Sequence, residues 1–266
     1  MTIVRFLVPA SDIAALVEGA SYGTLVAATP TEIVVAVDDV LFAHFLGSFD
    51  YSSRSRLMAS RLDRIEFTQD LERTLPLVTF EELNTTLGTL GRNPARLFAG
   101  NDLFVGSYGD DDLTFLEDPL VGRGNDTVRG GAGNDRIAGG PGSDKLFGEE
   151  GEDVLFLGPG KDQATGGAGG DAFVLGSGSR GSTIRDFAAT AGDVLELRVE
   201  ELVSDPDAAL ADPEGFFRFL PTRTGAKLQL DANGGGDRFV TWATITGDLG
   251  STDLDTLIAQ GTLVIA

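Results

Sequence analysis

Glycine and aspartate recur with a period of nine residues in the middle of the chain. Six contiguous units, which run from Val121 to Val174, read VGRGNDTVR, GGAGNDRIA, GGPGSDKLF, GEEGEDVLF, LGPGKDQAT and GGAGGDAFV. Two more units, LFAGNDLFV and GSYGDDDLT, occupy residues 97–114 and are separated from the six by residues 115–120. Every unit has Gly at its fourth place and Asp at its sixth. Such a period is typical of a solenoid in which each repeat stacks on its neighbours.

The first six residues of each unit have the chemistry of a cation-binding turn. Glycine permits positive φ angles and close backbone approach, so the turn can direct several carbonyl oxygens to one point. The sixth-place Asp adds a carboxylate to that point. An all-oxygen, flexible cage favours Ca²⁺, because Zn²⁺ and Cu²⁺ prefer nitrogen or sulfur ligands and Mg²⁺ releases its water reluctantly.

The last three residues of each unit form a strand that is too short to be stable alone. The eighth place is apolar in all units, from Phe104 and Leu113 through to Phe173. These side chains must stack on their equivalents in neighbouring turns, which gives a core one residue wide per strand. A Gly/Asp-rich linker is the alternative, but a linker has no need to keep Asp and an apolar residue in phase eight times.

These units resemble the RTX (repeats-in-toxin, haemolysin-type) calcium-binding repeats. The resemblance implies an all-β fold, a right-handed parallel β-roll with two nonapeptides per turn, and Ca²⁺ ions between turns of repeats two apart. It also implies the ligands, namely the sixth-place carboxylates and the fourth-place glycine backbones. The carboxylates are those of Asp102, Asp111, Asp126, Asp135, Asp144, Asp153, Asp162 and Asp171, and the backbone companions are Gly124, Gly133, Gly142, Gly151, Gly160 and Gly169.

Several places depart from the repeat pattern. Ser107 and Glu149 replace the second Gly, Val121 and Leu157 replace the first, and Ala164 is a small residue for a core place. Residues 115–120 leave the register of the first two units open: units two apart form four pairs within the block of six, and six pairs if the interruption bulges. Residues 97–174 carry 15 acidic and 5 basic residues, a net charge of −10. Four to six Ca²⁺ ions nearly neutralise it, so we expect these residues to be largely unfolded without Ca²⁺.

The flanks predict β-rich caps with one or two short helices. Residues 1–96 form an N-terminal region with a hairpin of EIVVAV and VLFAHFL and, from a capping-box spacing at Thr79, a helix near residues 80–90. Residues 175–266 form the C-terminal region, with strands in TIRDF and DVLELR and a meander from Gly215. A helix at about residues 253–260, capped by Thr252, precedes a final strand, TLVIA.

Two acidic groups in the C-terminal region have alternative interpretations. Asp186 and Asp193 either supply ligands to a last ion or are ordinary turn residues. Asp231-Ala-Asn233-Gly-Gly-Gly-Asp237 has oxygen donors at alternate places but lacks the bidentate Glu of an EF-hand loop, which favours a simple hairpin turn.

Composition excludes several function classes. The 266 residues include 41 acidic and 20 basic ones, a net charge of −21, which argues against nucleic acid and anionic membranes as partners. The chain has no Cys and a single His, so thiolate sites and two-imidazole sites are excluded. The most apolar stretch, residues 32–46, is interrupted by Asp38 and Asp39, so no stable transmembrane insertion is expected. Pro9, Asp12 and Glu18 interrupt what would be the apolar core of a Sec leader.

Enzymatic motifs are weak, and we expect no enzyme. Gly19-Ala20-Ser21-Tyr22-Gly23 matches a nucleophile elbow, but strand-like residues follow Ser21, and about 95 residues cannot house an α/β-hydrolase. His44 lies in an alternating strand and is expected to be a packed or surface side chain. GSGSRG at residues 176–181 has dinucleotide-loop spacing but opens no helix.

Residues 215–266 are similar to the C-terminal targeting regions of RTX proteins exported by type I secretion. This implies an inner-membrane ABC transporter, an adaptor and an outer-membrane tunnel as partners, and an extracellular or surface location. We expect a non-enzymatic matrix, surface or host-facing factor. A calcium-dependent adhesin or membrane-active protein, or a small hydrolase with activity in residues 1–96, are the alternatives. For residues 215–266, an ordinary end cap is the alternative to a targeting role, and both can hold.

Overall fold

The computed structural model describes a β-rich chain. The residues described are 3–6, 24–28, 32–36, 42–48, 61–68, 76–81, 85–86, 100–106, 108–114 and 124–266. Two sheets contain the strands, a 15-stranded sheet (sheet A) and a 6-stranded sheet (sheet B). The predicted all-β class is confirmed.

The N-terminal strands are mostly antiparallel and lie at one end of sheet A. They are β1 (Ile3–Phe6), β2 (Thr24–Ala28), β3 (Glu32–Ala36), β4 (Phe42–Ser48), β5 (Arg61–Thr68), β6 (Pro76–Glu81) and β7 (Thr85–Thr86). The predicted hairpin is confirmed, because β3 pairs antiparallel to β4 with Ile33 opposite Phe45. The Gly19–Gly23 motif lies outside the described residues, and of His44 the structure describes the backbone position in β4.

The helix predicted near residues 80–90 is wrong where the structure describes those residues. Pro76–Glu81 is strand β6, which lies between β1 and β5 and pairs with both. Thr85 and Thr86 form β7, which pairs with β5. A capping-box spacing is a local signal, and here the pairing with two non-local strands overrides it. Residues 82–84 and 87–90 lie outside the described part.

The repeats form a parallel solenoid of about four turns. Its strands are β8 (Leu103–Val105), β9 (Asp112–Leu113), β10 (Thr127–Ala132), β11 (Arg136–Ala138), β12 (Lys145–Glu150), β13 (Val154–Leu157), β14 (Gln163–Ala168) and β15 (Ala172–Leu175). Even-numbered strands pair in parallel in sheet A and odd-numbered ones in sheet B. Consecutive units therefore alternate between the sheets, and units two apart are hydrogen-bonded neighbours.

The core lies between the two sheets and consists of the eighth-place side chains. Those of sheet A are Phe104, Val128, Leu146 and Ala164, and those of sheet B are Leu113, Ile137, Leu155 and Phe173; all are fully buried. Within each sheet they stand in register, for example Val128 beside Leu146. Most strands of the roll contribute one inward side chain, and β13 and β15 each add a second, Leu157 and Leu175.

The interruption at residues 115–120 does not break the register. Leu103 pairs with Thr127 and Asp112 with Arg136, and each of these four residues is the seventh of its unit. Equivalent residues are 24 positions apart here rather than 18. The first two units are thus ordinary turns of the same roll, and the insertion is accommodated between strands.

The C-terminal region extends both sheets and covers the last turn of the roll. Its strands are β16 (Ser182–Ala188), β17 (Val194–Leu197), β18 (Phe217–Thr222), β19 (Gly225–Leu230), β20 (Val240–Asp248) and β21 (Leu263–Ile265). The predicted strands and the meander β18–β19–β20 are confirmed. β20 pairs in parallel with β16, and β21 pairs in parallel with β17.

Three short helices accompany these C-terminal strands, α1 (Val199–Leu202), α2 (Pro206–Ala211) and α3 (Leu254–Ala259). The sequence predicted α3 but missed α1 and α2, which span only four and six residues. The predicted cap of α3 is wrong by one residue, because Asp253, not Thr252, accepts the hydrogen bond from the Thr256 N–H. A carboxylate at this position also benefits from the helix dipole.

Strands from the flanks cover the last turn of the roll in both sheets and, among the described strands, its first turn in sheet A. β1 pairs in parallel with β8 at the first turn, and β16 and β17 pair with β14 and β15 at the last. Solenoid ends need such covering strands, since an open edge would present unpaired backbone groups to other chains. None of the helices within the described ranges is long and apolar enough to cross a membrane.

Candidate metal centre

The eight sixth-place Asp residues lie in two straight rows along the roll. Each immediately precedes a strand of the roll, where the glycine turn ends. The first Asp row precedes the strands of sheet A and the second those of sheet B; the rows are Asp102, Asp126, Asp144 and Asp162, and Asp111, Asp135, Asp153 and Asp171. All eight side chains are at most 4% exposed. The structure thus brings together every carboxylate that the sequence selected and removes it from water.

Within each row, the carboxylates are connected by a ladder of hydrogen bonds. The backbone N–H of each Asp donates to Oδ1 of the Asp one turn further on, at 2.7–3.0 Å. The backbone carbonyl of each Asp accepts the N–H of the seventh-place residue of that next turn, at 2.7–2.8 Å. One residue type therefore fixes the spacing of successive turns through both its backbone and its side chain.

The second carboxylate oxygen is left unsatisfied along the rows. Oδ2 of Asp126, Asp135, Asp144, Asp153, Asp162 and Asp171 is buried and accepts no hydrogen bond from the described part of the chain. A buried polar atom without a partner costs about 1–3 kcal/mol, and more when it carries charge. A cation is a suitable partner for the unpaired oxygens of the two rows.

First-place glycines make room for this second oxygen. A Cβ on Gly130 would lie 2.1 Å from Oδ2 of Asp135 and 2.7 Å from the carbonyl oxygen of Gly148, one turn further on. A Cβ on Gly148 would meet Oδ2 of Asp153 and the carbonyl oxygen of Gly166 in the same way. A carboxylate oxygen and a carbonyl oxygen therefore converge on a space that only glycine leaves open.

Fourth-place glycines lie where successive turns approach closely. The resemblance implied them as backbone companions of the ion, and in the structure their carbonyls point at the fourth-place glycine of the next turn. A Cβ on Gly142 would lie only 1.7 Å from the carbonyl oxygen of Gly124 and 2.8 Å from Oδ1 of Asp144. They allow the turns to approach closely, and their role as backbone ligands stays a prediction. The first-place carbonyls, which the sequence reasoning did not select, border the same space as the unsatisfied oxygens.

A second ladder at the fifth place was also missed. The side chains of Asn101, Asp110, Asn125 and Asn134 each accept the backbone N–H of the fifth-place residue one turn further on, at 2.8–2.9 Å. The signal was present in the sequence, because Asn or Asp occupies the fifth place in the first four units. This exposed ladder reinforces the spacing that the buried rows require.

The departures from the repeat pattern are absorbed locally. Glu149, which replaces a second-place Gly, adopts a positive φ of 83°. Its carboxylate pairs with Arg129, which also lies over the ring of Phe147. The strain at this non-glycine residue is thus accompanied by a surface ion pair in sheet A.

Asp186 and Asp193 complete hydrogen bonds at the end of the roll. Oδ1 of Asp193 accepts the N–H of Asp171 at 3.0 Å and so continues the second Asp row, and its Oδ2 accepts the N–H of Ala188. Asp186 accepts the N–H groups of Gly166 and Gly167. The first row ends differently, on the hydroxyl of Ser182. Both carboxylates therefore accept backbone hydrogen bonds at the end of the roll.

Burial raises the pKa of six of the row carboxylates. Desolvation is the main cause; the ladder N–H lowers the pKa in part, and for most of these groups neighbouring acidic side chains raise it further. The pKa is raised to about 6 for Asp126, Asp162 and Asp171, to about 7 for Asp135 and to about 8 for Asp144. The pKa of Asp153 is also raised, mainly by burial. Without a cation, Asp144 is therefore largely protonated at neutral pH and Asp135 is about half protonated.

Carbonyl oxygens must supply much of any coordination shell. No group of three or more His, Cys, Asp or Glu side chains converges within the ranges that the structure describes. The donors that do converge are an Asp oxygen and a backbone carbonyl of the next turn. Oxygen donors of this kind, on a flexible glycine turn, suit Ca²⁺.

Comparison with known proteins identifies the repeats. The family model "RTX calcium-binding nonapeptide repeat (4 copies)" matches residues 98–116, 121–155 and 147–179. These residues are therefore RTX calcium-binding repeats, as the sequence pattern predicted. No curated protein matches the chain. Among the similar solved structures is the AlgE6R3 subunit of the Azotobacter vinelandii mannuronan C5-epimerase, which is 21% identical, with 64% of this chain and 79% of that chain covered and a TM-score of 0.33.

A methyl group on a stacked fourth-place glycine should disrupt the roll. Gly142→Ala places its Cβ in the Gly124 carbonyl, and the forced shift costs about 1–3 kcal/mol. We expect the Ca²⁺ concentration at half-folding, followed by circular dichroism, to rise about twofold, because the cost is distributed over several ions that bind on folding. The control is Gly100→Ala, also at a fourth place, whose Cβ would meet only Asp102 Oδ1, at 3.7 Å, among the described atoms. Equal effects of the two variants would contradict this account of the stacking.

The metal-free protein should fold more readily in acid. Because the folded-state pKa values lie above the ordinary value of 3.8, the protonated carboxyls stabilise the fold below about pH 4, and this contribution is lost as the pH rises to about 8. We expect the folded fraction in metal-free buffer, measured by circular dichroism, to fall between pH 5 and pH 8. Asp144→Asn, which cannot ionise, should flatten the profile, whereas exposed Asp207→Asn should not. A profile that rises with pH in the wild type would contradict the assignment.

Proposed function

We propose that this chain, which carries RTX calcium-binding repeats, is a secreted calcium-binding protein whose roll folds when external Ca²⁺ reaches the two Asp rows. One observation carries the proposal. Six buried row carboxylates each have Oδ1 in a hydrogen bond from a neighbouring turn and Oδ2 in none within the described residues. Without a cation, the unpaired Oδ2 atoms destabilise the folded state. A bound cation supplies the missing partner for these atoms.

The register supports up to six Ca²⁺ sites. Six pairs of row Asp residues are linked from one turn to the next, including the two pairs that span residues 115–120. Six divalent ions would bring a charge of +12 against the −10 of residues 97–174. The charge balance of the folded roll is thus close to neutral with Ca²⁺ and strongly negative without it.

Ca²⁺ binding of ordinary extracellular strength is enough to drive folding. A site with a Kd of about 10⁻⁴ M in about 10 mM Ca²⁺ stabilises the folded state by about 2.7 kcal/mol. Several such sites offset the conformational entropy of a glycine-rich chain, which at cytosolic Ca²⁺ concentrations stays unfolded. The proposed role of Ca²⁺ is therefore structural, as a folding ligand, and the chain acts as a non-enzymatic matrix, surface or host-facing factor.

An unfolded state inside the cell is compatible with export through a narrow channel. We propose that a type I system, consisting of an ABC transporter, an adaptor and an outer-membrane tunnel, exports the chain and reads residues 215–266. This segment forms the meander and covers the last turn of the roll. Its strands depend on pairing with β16 and β17, so the segment is accessible to a transporter before the roll folds.

Removing one row carboxylate should reduce both Ca²⁺ binding and folding. Asp153→Asn keeps an oxygen for the N–H of Asp135 but replaces the second oxygen by an amide that repels cations. Asp153 belongs to two of the six pairs, so we expect about two fewer Ca²⁺ ions per chain and a folding midpoint shifted to higher Ca²⁺. Calorimetric titration and circular dichroism measure these quantities.

The matched control is Glu152→Gln, which removes one charge at the adjacent exposed residue. We expect it to bind as many ions as the wild type and to fold within about threefold of the wild-type Ca²⁺ concentration, because surface charges contribute little. If Ca²⁺ leaves the far-ultraviolet spectrum of the wild type unchanged, Ca²⁺ is not the folding ligand. If both variants lose ions equally, the rows are not the sites.

Export should depend on residues 215–266 and not on the folded roll. In cells that produce the chain with a type I exporter, we expect deletion of this segment to reduce the amount in the medium, measured by mass spectrometry, at least tenfold. Asp153→Asn keeps the segment and weakens the roll, and it should still reach the medium. Undiminished release of the truncated chain would exclude a targeting role for the segment.

A further inference from the structure

A further buried carboxylate with an unsatisfied oxygen lies outside the Asp rows. Asp231 follows β19 and begins the loop to β20, and its side chain is fully buried. Oδ2 accepts the backbone N–H groups of Asp237 and Arg238 at 3.1 and 3.2 Å, so the carboxylate points across the inside of the loop. Oδ1 is also buried and accepts no hydrogen bond within the described residues. The arrangement repeats that of the row residues, although the loop is not part of a nonapeptide.

No basic side chain balances this carboxylate. The ion pairs within the described ranges join Arg129 to Glu149 and Arg198 to Glu201, and neither reaches the loop. The neighbouring Arg238 contributes its backbone N–H, and Arg218 is stacked over the ring of Phe239. A buried, ionised carboxylate with one free oxygen needs a positive partner or a proton.

The loop backbone can supply further oxygen donors. Gly234, Gly235 and Gly236 have φ angles of 72°, 87° and 71°, so three successive residues adopt the positive-φ conformation that glycine permits. Gly234 packs against the ring of Phe216, which holds the loop against the meander. Around the Cβ position of Gly235, no described atom lies within 4 Å, so this part of the loop is open to solvent.

We propose that residues 231–238 bind one Ca²⁺ ion, held by Oδ1 of Asp231 and by backbone carbonyl oxygens of the glycines. An all-oxygen donor set on a flexible glycine loop favours Ca²⁺ over Mg²⁺ and over transition metals. The ion satisfies the remaining oxygen of Asp231 and fixes the connection between β19 and β20. Because β20 pairs with β16, this site stabilises the cap that covers the last turn of the roll. The site extends Ca²⁺ binding beyond the repeats and is independent of the two rows.

Diffraction from the wild-type, full-length chain tests the site directly. Crystals grown in CaCl₂ and measured at long wavelength should show an anomalous peak at about 2.4 Å from Oδ1 of Asp231, a typical Ca²⁺–oxygen distance. The peaks of the Asp rows in the same map provide the internal reference. Peaks in the rows together with only a water, or no density, at Asp231 would overturn the proposal and leave the proposed function intact.

Stoichiometry provides a second measurement in solution. Asp231→Asn keeps an oxygen for the two loop N–H groups but presents an amide to the ion, and we expect one Ca²⁺ fewer per chain in equilibrium dialysis. Asp207→Asn, which removes the same charge at an exposed position of α2, should bind as many ions as the wild type. An unchanged ion count in a folded Asp231→Asn variant overturns the proposal. If that variant does not fold, the wild-type anomalous map decides.

Discussion

Burial of carboxylates without basic partners is the constraint on which the structure depends. Six Asp residues of the rows each use one oxygen to hold the neighbouring turn at hydrogen-bonding distance and present a second, unsatisfied oxygen next to a glycine backbone. The first oxygen makes the rows a structural ladder, and the second makes them a cation site. The same side chain therefore couples the stacking of turns to the presence of a positive charge, and the raised pKa values express the cost when that charge is missing.

The small size of the core explains why this coupling controls the whole roll. Most strands contribute one inward side chain, such as Val128 or Ile137, so apolar burial per turn is modest. The glycines that permit close stacking also raise the conformational entropy of the unfolded chain. A roll built in this way depends on ions between its turns and on strands that cover its ends. β1 at the first turn and β16 and β17 at the last supply those covers.

The strands, more than the turns, set the register. Residues 115–120 lengthen one connection, yet the parallel pairing on either side continues unchanged and the Asp ladder spans the insertion with the same hydrogen-bond lengths. The entropic cost of closing a loop increases slowly with its length. Six extra residues therefore destabilise the fold less than the loss of one pair of hydrogen-bonded turns. At the other end, Ser182 and Asp193 continue the two rows without belonging to a nonapeptide. The ladder therefore requires a hydrogen-bond acceptor at each position, and a residue outside the repeats can supply it.

The sequence by itself determined the roll, its Asp rows and its alternation of turn and strand. The same nine-residue pattern occurs eight times, and a single register of the stacked turns places every copy in an equivalent position. The sequence also indicated the hairpin of β3 and β4, the meander and α3, whose signals lie within adjacent residues. Tertiary structure decided what depends on distant partners: the strand at residues 76–81 in place of a helix, the first-place carbonyls beside the unsatisfied oxygens, and the role of Ser182 as the end of a row. These features arise from pairing between separate segments, and local spacing carries no information about which segments meet.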